Sequence, residues 1–330
     1  MKENDIRPEE LMKKKEPALE HDKEYLRSRV SSFINVNCPA CNNAKADFWA
    51  EKEGFTYEKC RNCSTILMNP RASDALLGEF YKQSKNYDFW NKYIFPASDA
   101  VRREKIFKPR AEKTINYCKE NGIKGGTILE IGAAFGTFCE ALSSFGFFDR
   151  IIALEPTPGL ARTCRQKGLE TIEQTIEEMD IDLNSIDVIA NFEVIEHIGN
   201  PHQFINKAAS YLKKGGLFIC SCPSGEGIGT LVLKEKAKVV DHEHVNYFNP
   251  KSLGLLLERS DIELLEVATP GELDVDLLNN SFKESPKLFE NNEFFKHLFT
   301  ENNQKALSDF QVFLKNNLLS SHLWVIGRKK

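Results

Sequence analysis

Four cysteines near the N-terminus are spaced as metal ligands. They form two Cys-x-x-Cys pairs, Cys38 with Cys41 and Cys60 with Cys63, and eighteen residues separate the pairs. Two such pairs can place four thiolates tetrahedrally about one zinc ion, which leaves no position for water and so predicts a structural metal. The alternatives are a redox pair, which would need a thioredoxin-like unit that this sequence lacks, and four unrelated core cysteines.

A turn of small residues is the second candidate site. It lies in Ile128-Leu-Glu-Ile-Gly-Ala-Ala-Phe-Gly-Thr137, between an apolar run and an amphipathic one. Gly132 lets the backbone turn sharply beside a ligand, and Gly136 lets a helix pack closely on a strand. A dinucleotide-binding turn has glycine where Ala134 stands, so this turn suits a pyrophosphate poorly. Glu130 would repel a phosphate but suits a ligand that carries an ammonium group.

A carboxylate follows the next predicted strand. Glu155 stands in Ala153-Leu-Glu-Pro156, about twenty residues beyond the glycine turn, where an acid can accept both hydroxyls of a ribose. The turn and this acid together describe S-adenosylmethionine (SAM) better than a nucleotide. Each feature alone would also suit an ordinary α/β protein.

Two further segments carry acids and histidines. In Glu193-Val-Ile-Glu196-His197 the three polar residues are spaced to share one helical face, where they could hold a divalent metal or where His197 could act as a base. In Asp241-His-Glu-His244 two histidines and two acids precede a helix expected near residue 250, on a loop that we expect outside the core. This clustering favours His244 as a general base.

Apolar β-branched runs alternate with amphipathic stretches along the rest of the chain. Strands are predicted at 127–131, 150–155, 169–172, 186–192, 217–221, 263–267 and 323–327, with helices at 135–145, 158–167 and 201–213. The last helix is expected to stop at Lys214-Gly-Gly216. This alternation is typical of a doubly wound parallel sheet in an α/β protein.

The chain divides into four predicted parts. Residues 1–35 form a highly charged arm, frayed or helical; residues 36–68 form a zinc ribbon with short strands at 54–57 and 65–68. Residues 69–118 form an aromatic-rich helical bridge, helical from about Ala100. Residues 119–330 form the α/β domain, which carries a helical insertion at about 277–319.

The composition indicates a folded cytoplasmic protein. With 330 residues, 41% of them hydrophobic, the chain can bury a substantial core. The charged N-terminus has no apolar signal segment, and no run approaches the roughly 20 apolar residues of a membrane span. Nine cysteines without an export signal indicate a reducing compartment. The net charge of −4 argues against a nucleic acid as main partner.

Residues 126–221 resemble the class I SAM-dependent methyltransferases, in particular the ubiquinone O-methyltransferase-like branch. The resemblance rests on LEIGAAFGTF, ALEP and DVIANFEVIEHIGNP. It implies a seven-stranded Rossmann-like domain in which SAM is bound by Glu130, Gly132, Gly136 and Glu155, with Phe192 beside the methionine end. Relatives with the same ExxEH pattern need no metal, which favours a supporting role for that segment.

The segment His242-Glu-His-x-x-Tyr-Phe248 resembles deoxysugar C-methyltransferases, which also carry an N-terminal zinc module. That resemblance implies His244 as the base and Glu243 as its partner. Asp241 replaces the tyrosine of those enzymes, and their large C-terminal domain is missing, so O- or N-methylation stands beside C-methylation.

The sequence therefore predicts a methyltransferase for a small molecule, foremost a sugar nucleotide or glycan precursor of surface-polysaccharide synthesis. A quinone or lipid precursor is the first alternative substrate. A zinc-ribbon adaptor or RNA-binding protein without activity is the alternative from another class.

Overall fold

Two helices form the N-terminal arm of this computed structural model, which describes residues 3–301 and 303–330. They are α1 (Glu3–Ile6) and α2 (Glu9–Arg27). The described part of the arm is largely helical. Leu26 is buried in one apolar cluster with Phe55 of the next module, so the arm packs on the rest of the chain despite its high charge.

The cysteine module is built on a small antiparallel sheet. Its strands are β1 (Ala46–Lys52), β2 (Phe55–Cys60) and β3 (Ile66–Met68). The strands predicted at 54–57 and 65–68 correspond to β2 and β3, and the sequence reading missed β1. The fourth strand of this sheet comes from a distant part of the sequence: Leu67 of β3 pairs with Asn246. The module and the α/β domain therefore share one sheet.

Helices connect this module to the α/β domain. They are α3 (Asp74–Gln83), α4 (Lys85–Phe89), α5 (Phe95–Arg102) and α6 (Lys108–Glu120), joined by wider helical turns at Trp90–Ile94 and Arg103–Phe107. Ser73 and Ser84 begin α3 and α4, since each side chain accepts a backbone N–H of the first turn. The helices start at Asp74, earlier than the spacing from Ala100 had indicated.

The seven predicted strands of the central sheet are all present. In chain order they are β4 (Thr127–Ile131), β5 (Arg150–Leu154), β6 (Glu170–Ile172), β7 (Ile186–Phe192), β8 (Leu212–Pro223), β10 (Ile262–Ala268) and β11 (His322–Lys329). Strand β9 (Asn246–Tyr247), which lies between β8 and β10 in the chain, belongs to the small sheet. The sheet order is β10-β11-β8-β7-β4-β5-β6. β11 is antiparallel to both neighbours, and the other pairs are parallel.

Helices cover both faces of this sheet. The remaining ones are α7 (Thr137–Ser143), α8 (Pro158–Gln166), α9 (Pro201–Tyr211), α10 (Ile228–Leu233), α11 (Pro250–Glu258), α12 (Asp274–Glu284), α13 (Glu293–Glu301) and α14 (Gln304–Asn316). α9 and α11 pack on one face, and α6 and α7 pack on the other. This is the doubly wound α/β arrangement, and α12 to α14 lie between β10 and β11.

The end of α9 differs from the prediction. The helix stops at Tyr211 rather than at residue 213, because Leu212 already pairs with Ile186 as the first residue of β8. The register then shifts before Leu217 pairs with Val188. Gly215, with φ of +77°, lies in this bulge and does not stop the helix.

Candidate active site

One large cavity lies at the carboxyl ends of the parallel strands. Its volume is about 2220 Å³, whereas a site for one drug-sized ligand measures roughly 300–1,000 Å³. The glycine turn, Glu155, His197 and the segment 241–244 all line it, as do residues of the N-terminal arm. The cavity therefore has room for a cofactor and a second ligand.

The glycine turn lines this cavity and has positive φ at three alternate positions. Gly132 and Gly136 both have φ of +74°, and Ala134 has φ of +47°. A Cβ atom at Gly132 would lie 2.4 Å from Val194 Cγ2, and one at Gly136 would lie 2.5 Å from Leu169 Cδ1. Both glycines are therefore required by backbone conformation and by close packing.

Glu155 is fixed at the end of β5 by the backbone. Its Oε2 accepts the Ala134 N–H at 2.8 Å and its Oε1 accepts the Thr157 N–H at 2.8 Å. Burial raises the pKa of this carboxyl, and the amide donors act in the opposite direction. Each oxygen keeps a lone pair beyond these bonds, so the carboxylate can accept two further donors from the cavity.

Glu130 and Arg110 both line the cavity, and each lies close enough for its charge to act on the other. Burial raises the pKa of Glu130 to about 8, although the Cys139 thiol donates to its Oε2 at 3.0 Å and Arg110 favours the carboxylate. The guanidinium of Arg110 lies 4.4 Å above the Phe192 ring. The sequence reading missed Arg110, because it is one of eight charged residues between 102 and 113 and nothing in the pattern distinguishes it.

The prediction that Glu193, Glu196 and His197 share one helical face is wrong. Glu193 leaves β7 in the left-handed conformation, with φ of +56°, and its Oε1 accepts the Ser221 hydroxyl at 2.7 Å and lies 3.3 Å from His322 Nδ1. Only Ile195–His197 forms a single 3₁₀ turn. The left-handed backbone of Glu193 therefore directs its carboxylate to Ser221 and His322 on the neighbouring strands.

Glu196 and His197 point to the interior. Glu196 is fully buried, and neither of its carboxylate oxygens has a hydrogen-bond partner among the described residues. His197 Nδ1 lies 3.2 Å from the Tyr81 hydroxyl and 3.1 Å from the carbonyl oxygen of Glu243. Burial lowers the pKa of His197 to about 3, so this imidazole is neutral at physiological pH.

The segment 241–244 is held as a tight loop. Asp241 Oδ1 accepts the backbone N–H groups of Glu243 and His244 at 2.9 and 3.0 Å. His244 Nδ1 lies 2.7 Å from the carbonyl oxygen of Val239, so Nδ1 carries the proton and Nε2 has a free lone pair. The His244 ring lies against His197, with ring centroids 4.7 Å apart.

Two expectations for this loop are corrected. The loop is not outside the core, since His242 is only 1% exposed, because the β3–β9 pairing draws it between the two sheets. The carboxylate beside His244 is that of Asp241, 3.6 Å from Nδ1. Glu243 instead accepts the Asn86 side-chain amide at 2.6 Å and lies 3.6 Å from His242 Nε2.

Two groups of described side chains could hold a metal ion. Cys38, Cys41, Cys60 and Cys63 form one, and Glu196, His197 and His244 form the other; within each, the ligand atoms lie within 4.8 Å of one another.

The cysteine group has the dimensions of a zinc site. The Sγ atoms of Cys38 and Cys63 are 3.4 Å apart, and those of Cys41 and Cys60 are 3.6 Å apart. Tetrahedral zinc with bonds of about 2.3 Å needs sulfurs about 3.8 Å apart. The group packs on the α/β domain, where Asn249 donates to the carbonyl of Cys63 at 2.8 Å.

Fold and cavity together define the class: an α/β protein of the class I SAM-dependent methyltransferase type. Residues 102–267 match the family described as "Methyltransferase domain", and because this is half of the chain, the protein belongs to that family.

Similar proteins agree with this assignment. The ubiquinone biosynthesis O-methyltransferase of Maricaulis maris is 33% identical over 112 residues, 31% of this chain and 42% of that protein. The protein of the same name from Rickettsia akari is 27% identical over 206 residues, 58% of this chain and 79% of that protein. The chain thus spans less than half of the first relative.

Solved structures show the same fold. A SAM-dependent methyltransferase from Archaeoglobus fulgidus superimposes with a TM-score of 0.50 at 17% identity, covering 72% of this chain and all of the other, 100%. At this identity the similarity concerns the fold alone.

None of the helices in the described part of the chain combines the length and the apolar character needed to cross a bilayer.

Proposed function

We propose that this protein transfers the methyl group of SAM to a small acceptor from which His244 removes a proton. The observation that carries the proposal is the shared cavity, which is lined by the glycine turn, Glu155 and His244, while Nδ1 of His244 is bound to the Val239 carbonyl. Methyl transfer needs this arrangement, because the acceptor must lie between the methyl donor and a base.

The strand ends would hold the cofactor. Glu155 accepts the two ribose hydroxyls with the lone pairs that its backbone contacts leave free. Glu130 binds the ammonium of the methionine part, and Arg110 binds its carboxylate, since the charge of Arg110 acts on Glu130 and its guanidinium lies over Phe192. Gly132 and Gly136 keep the turn close enough for these contacts.

His244 would act as the base. SAM supplies an activated methyl group, because a positively charged sulfonium is a good leaving group. The acceptor attacks the methyl carbon, the electrons of the carbon–sulfur bond return to sulfur, and the acceptor proton passes to Nε2 of His244. Asp241, 3.6 Å from Nδ1, stabilises the imidazolium that forms, in the way that a carboxylate orients a catalytic histidine.

His197 and Glu243, both predicted as catalytic, would act through other residues. His197 packs on the His244 ring and is neutral, so we assign it to positioning. Glu243 fixes the loop by accepting the Asn86 amide.

The acceptor that we favour is a sugar nucleotide or another glycan precursor in polysaccharide or glycoconjugate synthesis. The HEHxNYF segment and the N-terminal cysteine module support this class by their resemblance to sugar methyltransferases. A quinone is the second candidate, because the relatives from Maricaulis and Rickettsia are named for ubiquinone biosynthesis. The reaction would take place in the cytoplasm.

Zinc would serve the fold. The four cysteines fit its tetrahedral geometry, and they lie against α11 at a distance from the cavity lining. A structural ion there would hold the small sheet whose last strand, β9, directly follows the catalytic loop.

A metal-assisted form of the reaction is favoured by one observation, the buried and unpartnered carboxylate of Glu196. A divalent cation bound by Glu196, His197 and His244 would occupy the free nitrogen of His244 and would polarise an acceptor hydroxyl in its place. A weak chelator that leaves cysteine-bound zinc intact would abolish turnover in that case and would leave it unchanged with His244 as the base.

The test is a panel of sugar nucleotides and quinol precursors incubated with SAM and the full chain. We expect a mass increase of about 14 Da, one methyl group replacing one proton, in a sugar nucleotide. Methylation of the quinol alone would replace the favoured substrate by the second candidate. Failure of the chain to bind SAM would contradict the methyltransferase proposal and favour a non-catalytic adaptor.

A further inference from the structure

Two cations from different helices face one indole ring inside the cavity. Lys15 of α2 places its Nζ 5.7 Å from the centre of the Trp90 ring, and Arg102 of α5 places its guanidinium 5.4 Å from it. Lys15 is only 8% exposed. Arg7, between α1 and α2, lies at the rim of the same cavity.

No carboxylate in the described part of the chain lies within ion-pair distance of Lys15 or Arg102. Arg102 donates to the carbonyl of Ile6 and to the hydroxyl of Ser98, both at 3.0 Å and both uncharged. Among the described residues, neither Lys15 nor Arg102 forms an ion pair, and Arg7 has only a 4.0 Å contact with Glu3. Buried charge without a partner costs free energy, so such a group is stabilised by an anion.

The electrostatics agree with this geometry. Burial lowers the pKa of Lys15; the charges of Glu243 and Glu16 act in the opposite direction, and the charge of Arg7 lowers it. Burial also lowers the pKa of Arg102 to about 10, with Arg7 and Arg110 adding to the effect. The cations therefore repel one another across the cavity.

The group lies between the catalytic loop and the glycine turn. On one side, Lys15 lies close enough to Glu243 and Asp241 for their charges to act on it. On the other side, Arg102 stacks on Phe95, whose ring packs 5.4 Å from Phe135 of the glycine turn. An anion held here would be part of a ligand that reaches His244.

We propose that Lys15, Arg102 and Arg7 form a subsite for the phosphate or pyrophosphate group of the acceptor, with Trp90 as its apolar floor. The inference rests on the proposed function and deepens it, because it selects a phosphorylated acceptor, such as a nucleoside-diphosphate sugar, over an uncharged quinone. The single carboxylate of SAM is already matched by Arg110 at Phe192, so these cations serve the second ligand.

The test is calorimetric titration of the full, zinc-loaded chain with inorganic pyrophosphate, after saturation with S-adenosylhomocysteine. We expect saturable binding that Lys15→Gln weakens about tenfold, since a lost charge-assisted contact is worth about 1.4 kcal/mol. Lys14→Gln is the matched control, because Lys14 is the exposed neighbour on the same helix; its effect should stay within about twofold. An unchanged affinity of the Lys15→Gln variant for S-adenosylhomocysteine verifies that the variant is folded.

Three results would overturn the subsite. They are the absence of pyrophosphate binding with and without the cofactor product, equal effects of the two lysine variants, and pyrophosphate binding only when the cofactor product is left out, which would assign these cations to the cofactor carboxylate. In each of these the cofactor product still binds, so the proposed methyltransferase function survives. If the cofactor product does not bind, the proposed methyltransferase function fails. Titration of the two lysine variants with pyrophosphate alone then still tests whether the subsite exists.

Discussion

The cavity has two halves that the chain builds in different ways. The half that we propose for the cofactor consists of Glu130, the glycine turn and Glu155, and its contacts join neighbouring strand ends, as when Glu155 accepts the Ala134 N–H. The acceptor half consists of the loop 239–244 with the residues that hold it, and these come from the helical bridge and the 3₁₀ turn after β7.

This difference predicts unequal sensitivity. Local contacts within one β–α–β unit persist when remote segments are disturbed, whereas the acceptor half depends on several remote segments at once. Its position also depends on the cysteine module, because β9 follows the catalytic loop and pairs with β3. Damage outside the cofactor half should therefore reduce turnover while SAM binding persists.

The largest expected effect is that of His244→Ala. Loss of a general base lowers turnover by about 10²- to 10⁴-fold, and SAM affinity should stay unchanged because His244 does not belong to the cofactor half. His297→Ala is the control, since His297 is exposed on α13. Turnover on the acceptor found in the panel and calorimetry with SAM measure the two effects. Full activity of His244→Ala would remove the base from this account.

Loss of zinc should come next. Cys63→Ser is expected to lower the zinc content and to reduce turnover about a hundredfold, because a displacement of about 1 Å in the catalytic loop is sufficient for that. SAM binding should persist. Cys118→Ser, a buried cysteine outside the metal group, should keep its zinc. Elemental analysis and the turnover assay are applied to both variants. Normal turnover of a zinc-free protein would show that the acceptor half does not depend on the cysteine module.

The pH dependence of SAM binding tests the cofactor half. With its pKa raised to about 8 by burial, Glu130 is mostly protonated at pH 6.5, and the SAM ammonium favours its charged form. SAM affinity should therefore rise by up to about tenfold from pH 6.5 to 7.5, with release of a proton. Calorimetry in two buffers of different ionisation enthalpy detects that proton. Glu130→Gln should bind more weakly without this pH dependence; an unchanged slope would show that another group titrates.

The smallest effect is expected for Asn86→Ala. It removes the 2.6 Å donor to Glu243, and loss of a buried hydrogen bond of about 1 kcal/mol corresponds to about a fivefold decrease in turnover. SAM affinity should be unchanged. Asn206→Ala on the exposed side of α9 is the control. Equal turnover of the two variants would show that Glu243 does not position the loop.

The sequence predicted where the glycine turn and Glu155 lie, for a physical reason, whereas their binding of SAM stays a prediction. These residues follow two neighbouring strands, and a left-handed turn such as that at Gly132 requires glycine, so the pattern is visible in the chain itself. The cysteine group was predictable in the same way, because the spacing within each pair determines where two of the four sulfurs can lie.

The acceptor half could be predicted only in part. The clustering of acids and histidines identified His244, but the partner of Glu243 is Asn86, more than a hundred residues away, and no spacing rule connects them. The prediction that Glu193 and Glu196 share a helical face was wrong because Glu193 itself has a φ of +56°, a conformation that residues other than glycine rarely adopt. Arg110 and Lys15 carried no signal beyond their charge.

The central claim is that the cofactor half binds SAM through Glu155, and one calorimetric comparison tests it most directly. We predict saturable SAM binding to the unaltered chain, with affinity lost by at least about thirtyfold in Glu155→Ala, because two ribose hydrogen bonds to a charged group disappear. Glu258→Ala, an exposed acid on α11, should bind as the unaltered chain does. Equal SAM binding by all three proteins, or no binding by any, would contradict the claim.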